Sequence, residues 1–219
     1  MPGILHFFPG QKTMIWIVDG VVKIRAEAWG GEEPVPGMNY GTMKPRKTTP
    51  GRYVIHSLAP YRTNTWELSR IPWGTPITRS PDGDQVLYET GNMAHPWKAI
   101  PNVTRAEIEG LNYALYGKYE LPDHWVFNDF GMKAVRYYRD LNHNKKLDAG
   151  EVLSGEMIHT TPRDEANTAL GKEVHLEPSH GCIHIKPFDR GRLEAAGAFA
   201  KGTDFVIHTY AESLPKAFE

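Results

Sequence analysis

The sequence contains a single cysteine, Cys182, among its 219 residues. One thiol cannot form an intrachain disulfide, so the chain is not a small disulfide-stapled domain, and the redox compartment stays open. The charges nearly cancel, with 25 basic and 26 acidic residues, so we expect no electrostatic binding of nucleic acid or of an anionic membrane. No apolar run approaches the roughly 18 residues of a membrane span. A neutral or mixed-charge partner is therefore favoured.

The N-terminus also lacks the features of a secretion signal. The opening MPGILHFFPGQKTMIWIVDG has no basic stretch ahead of its apolar residues, and residues 9–12 (PGQK) interrupt those residues. We therefore expect either a chain that has already been processed or an export route of another kind. The length suits one domain with elaborations, so we predict a single domain over residues 1–219.

The first half of the chain is dominated by β signals. Asp19-Gly20 separates two β-branched, apolar runs and predicts a two-residue type I′ hairpin turn. A Pro/Gly-rich loop, EEPVPGMNYGTMKPRKTTPG, follows the hairpin, and residues 52–58 then predict another strand. The turn at residues 81–84 repeats this pattern ahead of QVLYET. The closing segment DFVIHTY predicts a last strand.

Two helices are predicted from their end signals. Thr104 and Glu107 have capping-box spacing, and apolar residues recur three and four apart after them. The segment FDRGRLEAAGAFAKGT predicts a second helix, with Asp189 as the N-cap and Gly202 at its end. The fold class predicted from these elements is mainly β with a few helices.

The segment PSHGCIHIK, residues 178–186, holds the only thiol between His180 and His184. A catalytic thiol needs a nearby imidazole or an oriented backbone dipole that favours the thiolate. His159, at the end of the strand-like run GEMIH, is one candidate imidazole. Gly181 has no Cβ, so the backbone N–H groups beside it can approach a substrate carbonyl. The alternative is that Cys182 begins a buried strand as a small apolar residue.

SHGCIHI, with MIHTTP upstream, resembles the signature of the L,D-transpeptidase (YkuD-type) catalytic domain. The opening hairpin with its TTPGRYVI strand, and the closing helix and strand, resemble the same family, so the resemblance covers roughly half the chain. It implies a β-sandwich or barrel that acts as a cysteine acyltransferase on bacterial peptidoglycan.

The resemblance also implies a role for each residue of the motif. Cys182 would be the nucleophile, His159 the general base, and the backbone carbonyl of Thr160 the group that orients this base. The remaining assignments are His180 and Ser179 as supports of the site, and Gly181 with Cys182 as N–H donors to the oxyanion.

The sequence departs from the family pattern at three places. His159 and Ser179 are separated by 19 residues, a longer gap than usual, and His175 within it is an alternative base or a substrate-binding residue. His184 stands where the family has Asn or Arg, so we assign it to substrate binding. Residues 56–135 form an enlarged insert with the capped helix and four tryptophans. These tryptophans either fill a satellite core or help the insert to cap the cleft and select a glycopeptide.

The segment DLNHNKKLDAGE resembles the ligand pattern of an EF-hand loop. The candidate ligands for a structural Ca²⁺ are Asp140, Asn142, Asn144, Lys146, Asp148 and Glu151. The flanks predict strands rather than helices, and Lys145 occupies the position where an EF-hand has glycine. An Asn/Asp-rich hairpin tip is therefore the alternative.

By resemblance, the partner is the peptidoglycan stem peptide, and catalysis requires no cofactor. Cys182 would attack the carbonyl after the third stem residue, and cross-linking, hydrolysis or D-amino acid exchange would follow. The site of action would be the bacterial periplasm or cell envelope. The absence of a visible signal also fits an antibacterial effector, which would be paired with an immunity protein.

A metal protein is the alternative of another class. On a strand, residues 180, 182 and 184 project to one face, so His180, Cys182 and His184 could hold zinc together with His159 or His175.

Overall fold

The computed structural model describes residues 3–41 and 44–218, so two residues of the predicted Pro/Gly-rich loop, 42 and 43, lie outside the described residues. The chain divides into two compact units. The first unit comprises the residues up to 59, residues 134–160 and the residues from 175 onward. The second unit comprises residues 60–133 and 161–174. No helix among the described residues is long and apolar enough to cross a membrane.

The described residues form eleven strands and three α-helices, which confirms the mainly β prediction. The strands are β1 (Ile4–Phe8), β2 (Thr13–Val18), β3 (Val21–Trp29), β4 (Gly51–Ala59), β5 (Ile77–Arg79), β6 (Gln85–Glu89), β7 (Trp97–Thr104), β8 (Ala134–Tyr138), β9 (Ile158–His159), β10 (Ile183–Ile185) and β11 (Asp204–Ile207). The helices are α1 (Arg105–Tyr116), α2 (Pro162–Ala169) and α3 (Pro187–Ala195). Short 3-10 helices cover Pro9–Gln11, Leu68–Arg70 and Lys216–Phe218.

The first unit is a closed barrel with the strand order β1-β11-β4-β8-β9-β10-β3-β2. A parallel pair, β1 with β11, joins the two ends of the chain and completes the ring. Alternate side chains of each strand point inward and form one apolar core. Its fully buried members include Leu5, Phe7, Ile55, Tyr137 and Phe205.

The predicted hairpin is confirmed, because β2 and β3 pair antiparallel and both turn residues have positive φ angles, 52° at Asp19 and 74° at Gly20. The predicted strand over residues 52–58 is β4, and the predicted closing strand is β11. Of the predicted insert, residues 60–133 belong to the second unit, whereas its outermost residues belong to β4 and β8.

The ends of the predicted C-terminal helix were wrong. The helix α3 begins at Pro187, whose fixed φ and missing N–H suit the first helical position, so Asp189 lies inside the first turn and is not the cap. The helix ends before Gly197, which has a φ of 77°, so Gly202 does not terminate it.

The second unit has a three-stranded sheet in the order β5-β6-β7, together with α1 and α2. The capping box of α1 is present in full: the Thr104 hydroxyl accepts the Glu107 N–H, and the Glu107 carboxylate accepts the Thr104 N–H. Trp125 is fully buried in the core of this unit, whereas Trp66 and Trp97 are 38% and 41% exposed. The tryptophans therefore divide between a satellite core and the surface.

Candidate active site

The site is centred on two short parallel strands of the barrel, β9 and β10. Their register pairs Ile158 with Ile183 and His159 with His184. The two isoleucines are fully buried in the barrel core, so the two histidines project from the opposite face of the sheet. Their rings meet edge to face, with centroids 4.8 Å apart. Cys182 comes directly before β10.

The loop ahead of the thiol is fixed by the Ser179 hydroxyl. Ser179 is buried, and its backbone N–H donates to the Gly30 carbonyl at 3.2 Å. Its Oγ accepts the Gly181 N–H at 3.1 Å and donates to the Cys182 carbonyl. One side chain therefore closes a tight turn that ends at the nucleophile candidate.

Gly181 is required by this turn for two reasons. Its φ of 121° is a conformation that L side chains rarely adopt, and a Cβ there would lie 3.1 Å from Arg46 Nε. In this structure the Gly181 N–H donates to Ser179 Oγ, and its donation to an oxyanion stays a prediction. Within the described part of the chain, no group accepts the Cys182 N–H, and the oxyanion role of this donor also stays a prediction.

His159 is buried and held in one tautomer by its neighbour. Its Nδ1 donates to the Thr160 carbonyl at 2.7 Å, so the lone pair of the neutral ring lies on Nε2. Burial, and then the adjacent His184, lower the pKa of His159 to about 3, against the opposing effect of the Thr160 hydrogen bond. The ring is therefore neutral at physiological pH and able to accept a proton.

The thiol of Cys182 is only partly exposed. Burial raises its pKa above the ordinary value, and the carboxylate of Glu156 acts in the same direction. A hydrogen bond from the Met157 backbone and the charge of Arg46 oppose this shift. Both groups are therefore neutral at rest, a thiol on Cys182 and an imidazole on His159.

Arg46 and Glu156 were not found from the sequence, and Thr48 and Thr49 entered only as part of the TTPG segment. Glu156 is a buried carboxylate, and it accepts from the Thr49 N–H at 3.1 Å and from Thr49 Oγ1 at 2.9 Å. Arg46 Nη1 lies 3.1 Å from the same carboxylate. The TTPG segment was noted for its resemblance to the L,D-transpeptidase family. Its contact with Glu156 could not be predicted, because the two segments are 107 residues apart in the sequence.

Thr48 connects the site to the C-terminal part of the barrel. Its fully buried Oγ1 accepts the Gly31 N–H at 3.0 Å and donates to the Cys182 carbonyl at 3.4 Å. Its backbone N–H donates to the Tyr210 hydroxyl at 3.1 Å, and that hydroxyl donates to the Gly31 carbonyl. The carbonyl of Cys182 is therefore held by both Ser179 and Thr48.

The remaining predicted histidines lie elsewhere. His175 and His180 are exposed, and His184 donates from Nδ1 to the Glu177 carbonyl at 2.9 Å. His159, not His175, is the residue paired with His184 across the strands. Among the described residues, no group of three or more His, Cys, Asp or Glu side chains is arranged to hold a metal ion, so the zinc alternative has no support in the geometry.

The predicted calcium loop, residues 140–151, is closed by its own side chains. Asp140 accepts the N–H groups of residues 144 and 145, and Glu151 accepts those of residues 141 and 148. The amides of Asn142 and Asn144 both donate to the carboxylate of Asp148. These oxygens have the chemistry that Ca²⁺ prefers, so calcium stays a prediction, which a calcium-dependent rise in melting temperature would support.

Comparison with known proteins gives distant likenesses. No protein-family model matches the chain, and no curated protein matches it. Among solved structures, the chain is similar to an L,D-transpeptidase from Xylanimonas cellulosilytica and to one from Mycobacterium smegmatis, with 9% and 11% identity and a TM-score of 0.37 for each. The matches cover 94% and 95% of this chain, which spans 60% and 59% of the length of those structures.

Proposed function

We propose that this protein is a cysteine acyltransferase that acts on peptidoglycan stem peptides through a thioester on Cys182. The observation that carries the proposal is the pairing of His159 with His184, two residues after Cys182, with the His159 ring oriented by the Thr160 carbonyl. The resemblance of SHGCIHI and MIHTTP to the L,D-transpeptidase signature supplies the substrate class.

Acylation begins from the neutral thiol and imidazole. His159 Nε2 takes the thiol proton as the sulfur attacks the carbonyl carbon after the third stem residue, so an S–C bond forms. The Cys182 N–H supports the negative charge on the carbonyl oxygen. Collapse breaks the C–N bond to D-alanine, and the proton on His159 goes to the leaving amine. Because the proton moves within one site, no prior ionisation of the buried thiol is needed.

The acceptor determines the product. The amine of a second stem peptide would give a cross-link, water would give a trimmed stem, and a free D-amino acid would give exchange. In each case His159 accepts a proton from the incoming nucleophile, and the thiolate leaves and is reprotonated. The bacterial cell envelope is the proposed site of action, because that is where this substrate occurs.

Intact-mass spectrometry after incubation with disaccharide tetrapeptides tests the proposal. We expect the wild type to gain the mass of the acyl fragment, that is, the substrate without its terminal D-alanine. Cys182→Ala should fold with the same circular dichroism spectrum and gain no mass. A wild type that stays unmodified while releasing no D-alanine would refute the proposal.

A further inference from the structure

The second unit contains a cavity of about 400 Å³ that belongs to neither the barrel nor the Cys182 site. One wall is the segment 62–71. The other is a face of the sheet, where Tyr88 on β6 lies directly opposite Lys98 on β7. Ile100, two residues along β7 from Lys98, adds an apolar surface. The volume falls in the range of small-molecule and peptide side-chain pockets.

The segment wall is held rigidly by buried hydrogen bonds. The side-chain amide of Asn128, which is fully buried, donates to the carbonyls of Tyr61 and Ile71, at 2.8 Å each. Trp125 Nε1 donates to the Leu68 carbonyl at 2.8 Å. Both ends and the middle of the segment are therefore tied to the core of the unit. A pocket with a fixed wall loses little conformational entropy when a ligand binds.

The cavity has an excess of positive charge. Three cationic side chains, Arg62, Arg70 and Lys98, line it, against the single carboxylate of Glu67. Within the described residues, none of the three cations forms an ion pair with an acidic side chain. Cations that converge on a concave site without a protein partner attract an anionic ligand and orient it.

We propose that this pocket binds the carboxylates of an acidic peptide. Arg62 and Arg70 offer planar guanidinium groups, which match carboxylate geometry with two parallel hydrogen bonds. The Tyr88 ring and Ile100 can pack against the carbon atoms of a peptide. The Asn64 side chain can form hydrogen bonds with an amide group. These features favour a peptide over a bare phosphate. Naming the peptidoglycan stem as the natural peptide rests on the proposed function.

Isothermal titration with the Cys182→Ala protein, which cannot turn the ligand over, tests this pocket. The probes are triglutamate, the disaccharide tetrapeptide and inorganic phosphate. We expect both peptides to bind, and Arg70→Gln and Lys98→Gln each to weaken binding by about fivefold or more. Lys118→Gln removes an exposed charge of the same unit outside the pocket, and it should change affinity by less than about twofold.

Further outcomes separate the explanations. Arg70→Lys keeps the charge and should restore part of the affinity, so a general folding defect of the glutamine variant would be recognised. Peptide binding that is absent, or equally weakened by Lys118→Gln, overturns the inference, as does binding of phosphate alone. If triglutamate binds through the pocket while the wild type forms no acyl adduct, the proposed function fails and the pocket stands. If the wild type forms an acyl adduct while the cation substitutions leave peptide binding unchanged, the pocket inference fails and the proposed function stands.

Discussion

The two units differ in whether the charged side chains of their sites are paired with opposite charges. Beside Cys182, the carboxylate of Glu156 is matched by Arg46 and by two donors of Thr49. In the cavity of the second unit, Arg62 and Arg70 face a common space without acidic partners among the described residues. A site that breaks bonds needs groups fixed by internal contacts, whereas a site that binds a charged ligand needs charge that its own fold leaves unmatched.

Some arginines of the second unit are paired with a carboxylate. Glu109 is buried there, and its carboxylate lies 3.1 Å from Arg105 and 3.9 Å from Arg79. Two arginines of this unit therefore lie beside this buried carboxylate. Substitutions matched between the two units can test the contrast between the paired Glu156 and the cavity cations.

The largest expected effect is on the chemistry at the barrel site. Replacing His159 by Gln removes the proton acceptor, and the single-turnover rate of acyl-adduct formation should fall by about 10² to 10⁴ fold. His124→Gln, at an exposed position of the second unit, should leave this rate unchanged within about twofold. The rate is measured by quenched-flow mass spectrometry. If the rate of adduct formation falls by less than tenfold in His159→Gln, His159 is not the general base.

The next largest effect is on the free energy of unfolding, and it is tested by substituting two carboxylates, Glu156 and Glu67. Glu156→Gln removes a buried charge that Arg46 and Thr49 compensate, so the free energy of unfolding should fall by about 1 to 3 kcal/mol. Glu67→Gln alters an exposed carboxylate in the cavity and should cost less than about 0.5 kcal/mol. Urea unfolding of both variants measures the difference. Equal losses would contradict the distinction between matched and unmatched charge.

Acid should destabilise the protein partly through His159. Its pKa of about 3 in the folded protein lies below the ordinary 6.5, so the unfolded chain binds more protons between these values. The free energy of unfolding should therefore fall as the pH drops from 6.5 towards 3, by up to about 1.4 kcal/mol per pH unit from this group. His6, with a pKa lowered to about 4 by burial and then by His208, acts in the same direction.

The pH dependence has its own matched pair of variants. His159→Gln should flatten the curve of unfolding free energy against pH, whereas His124→Gln should leave its slope as in the wild type. Urea unfolding at several pH values between 4 and 7 supplies the curves. A slope that is the same in both variants would show that His159 titrates normally.

The smallest effect concerns two serines with similar hydrogen bonds. Ser179 Oγ accepts the Gly181 N–H and donates to the Cys182 carbonyl, and Ser80 Oγ accepts the Gln85 N–H and donates to Asp82. Each Ser→Ala change should cost about 1 kcal/mol of unfolding free energy. Only the change at Ser179 should also slow acylation, by about tenfold, because it loosens the turn that carries the nucleophile. Equal acylation rates in the two variants would contradict this.

Local chemistry explains which parts of the fold could be predicted. The Asp19-Gly20 turn and the Thr104 cap depend on residues within a few positions of each other, so the sequence alone specifies them. The helix α2 has comparable signals, with Thr161 as a cap, Pro162 at the first position and Asp164 completing the box. These residues overlapped the catalytic motif, and their structural meaning was missed. The end of α3 was misplaced because Ala-rich residues after Gly197 continue a helix-like composition.

Only the residues of the candidate site that lie within the sequence motif could be predicted. The motif alone predicts Cys182 and His159 as site residues, and the tautomer of His159 follows from its hydrogen bond to the Thr160 carbonyl. The contact between Arg46 and Glu156 joins two loops far apart in sequence, and no periodicity of either segment indicates it. The use of the Gly181 N–H by Ser179 depends on the turn geometry, which a residue pattern does not specify.

The parallel pairing of β1 with β11 has a consequence for the order of events during synthesis. The first strand leaves the ribosome long before its partner, Asp204–Ile207, has been translated. Because the ring cannot close before then, the nascent chain exposes an unpaired sheet edge until residues 204–207 have been synthesised, a state that is prone to aggregation. Tyr210, whose hydroxyl holds Thr48 and Gly31, is translated later still. The hydrogen bonds that hold Thr48 beside the Cys182 carbonyl are therefore complete only after Tyr210 has been synthesised.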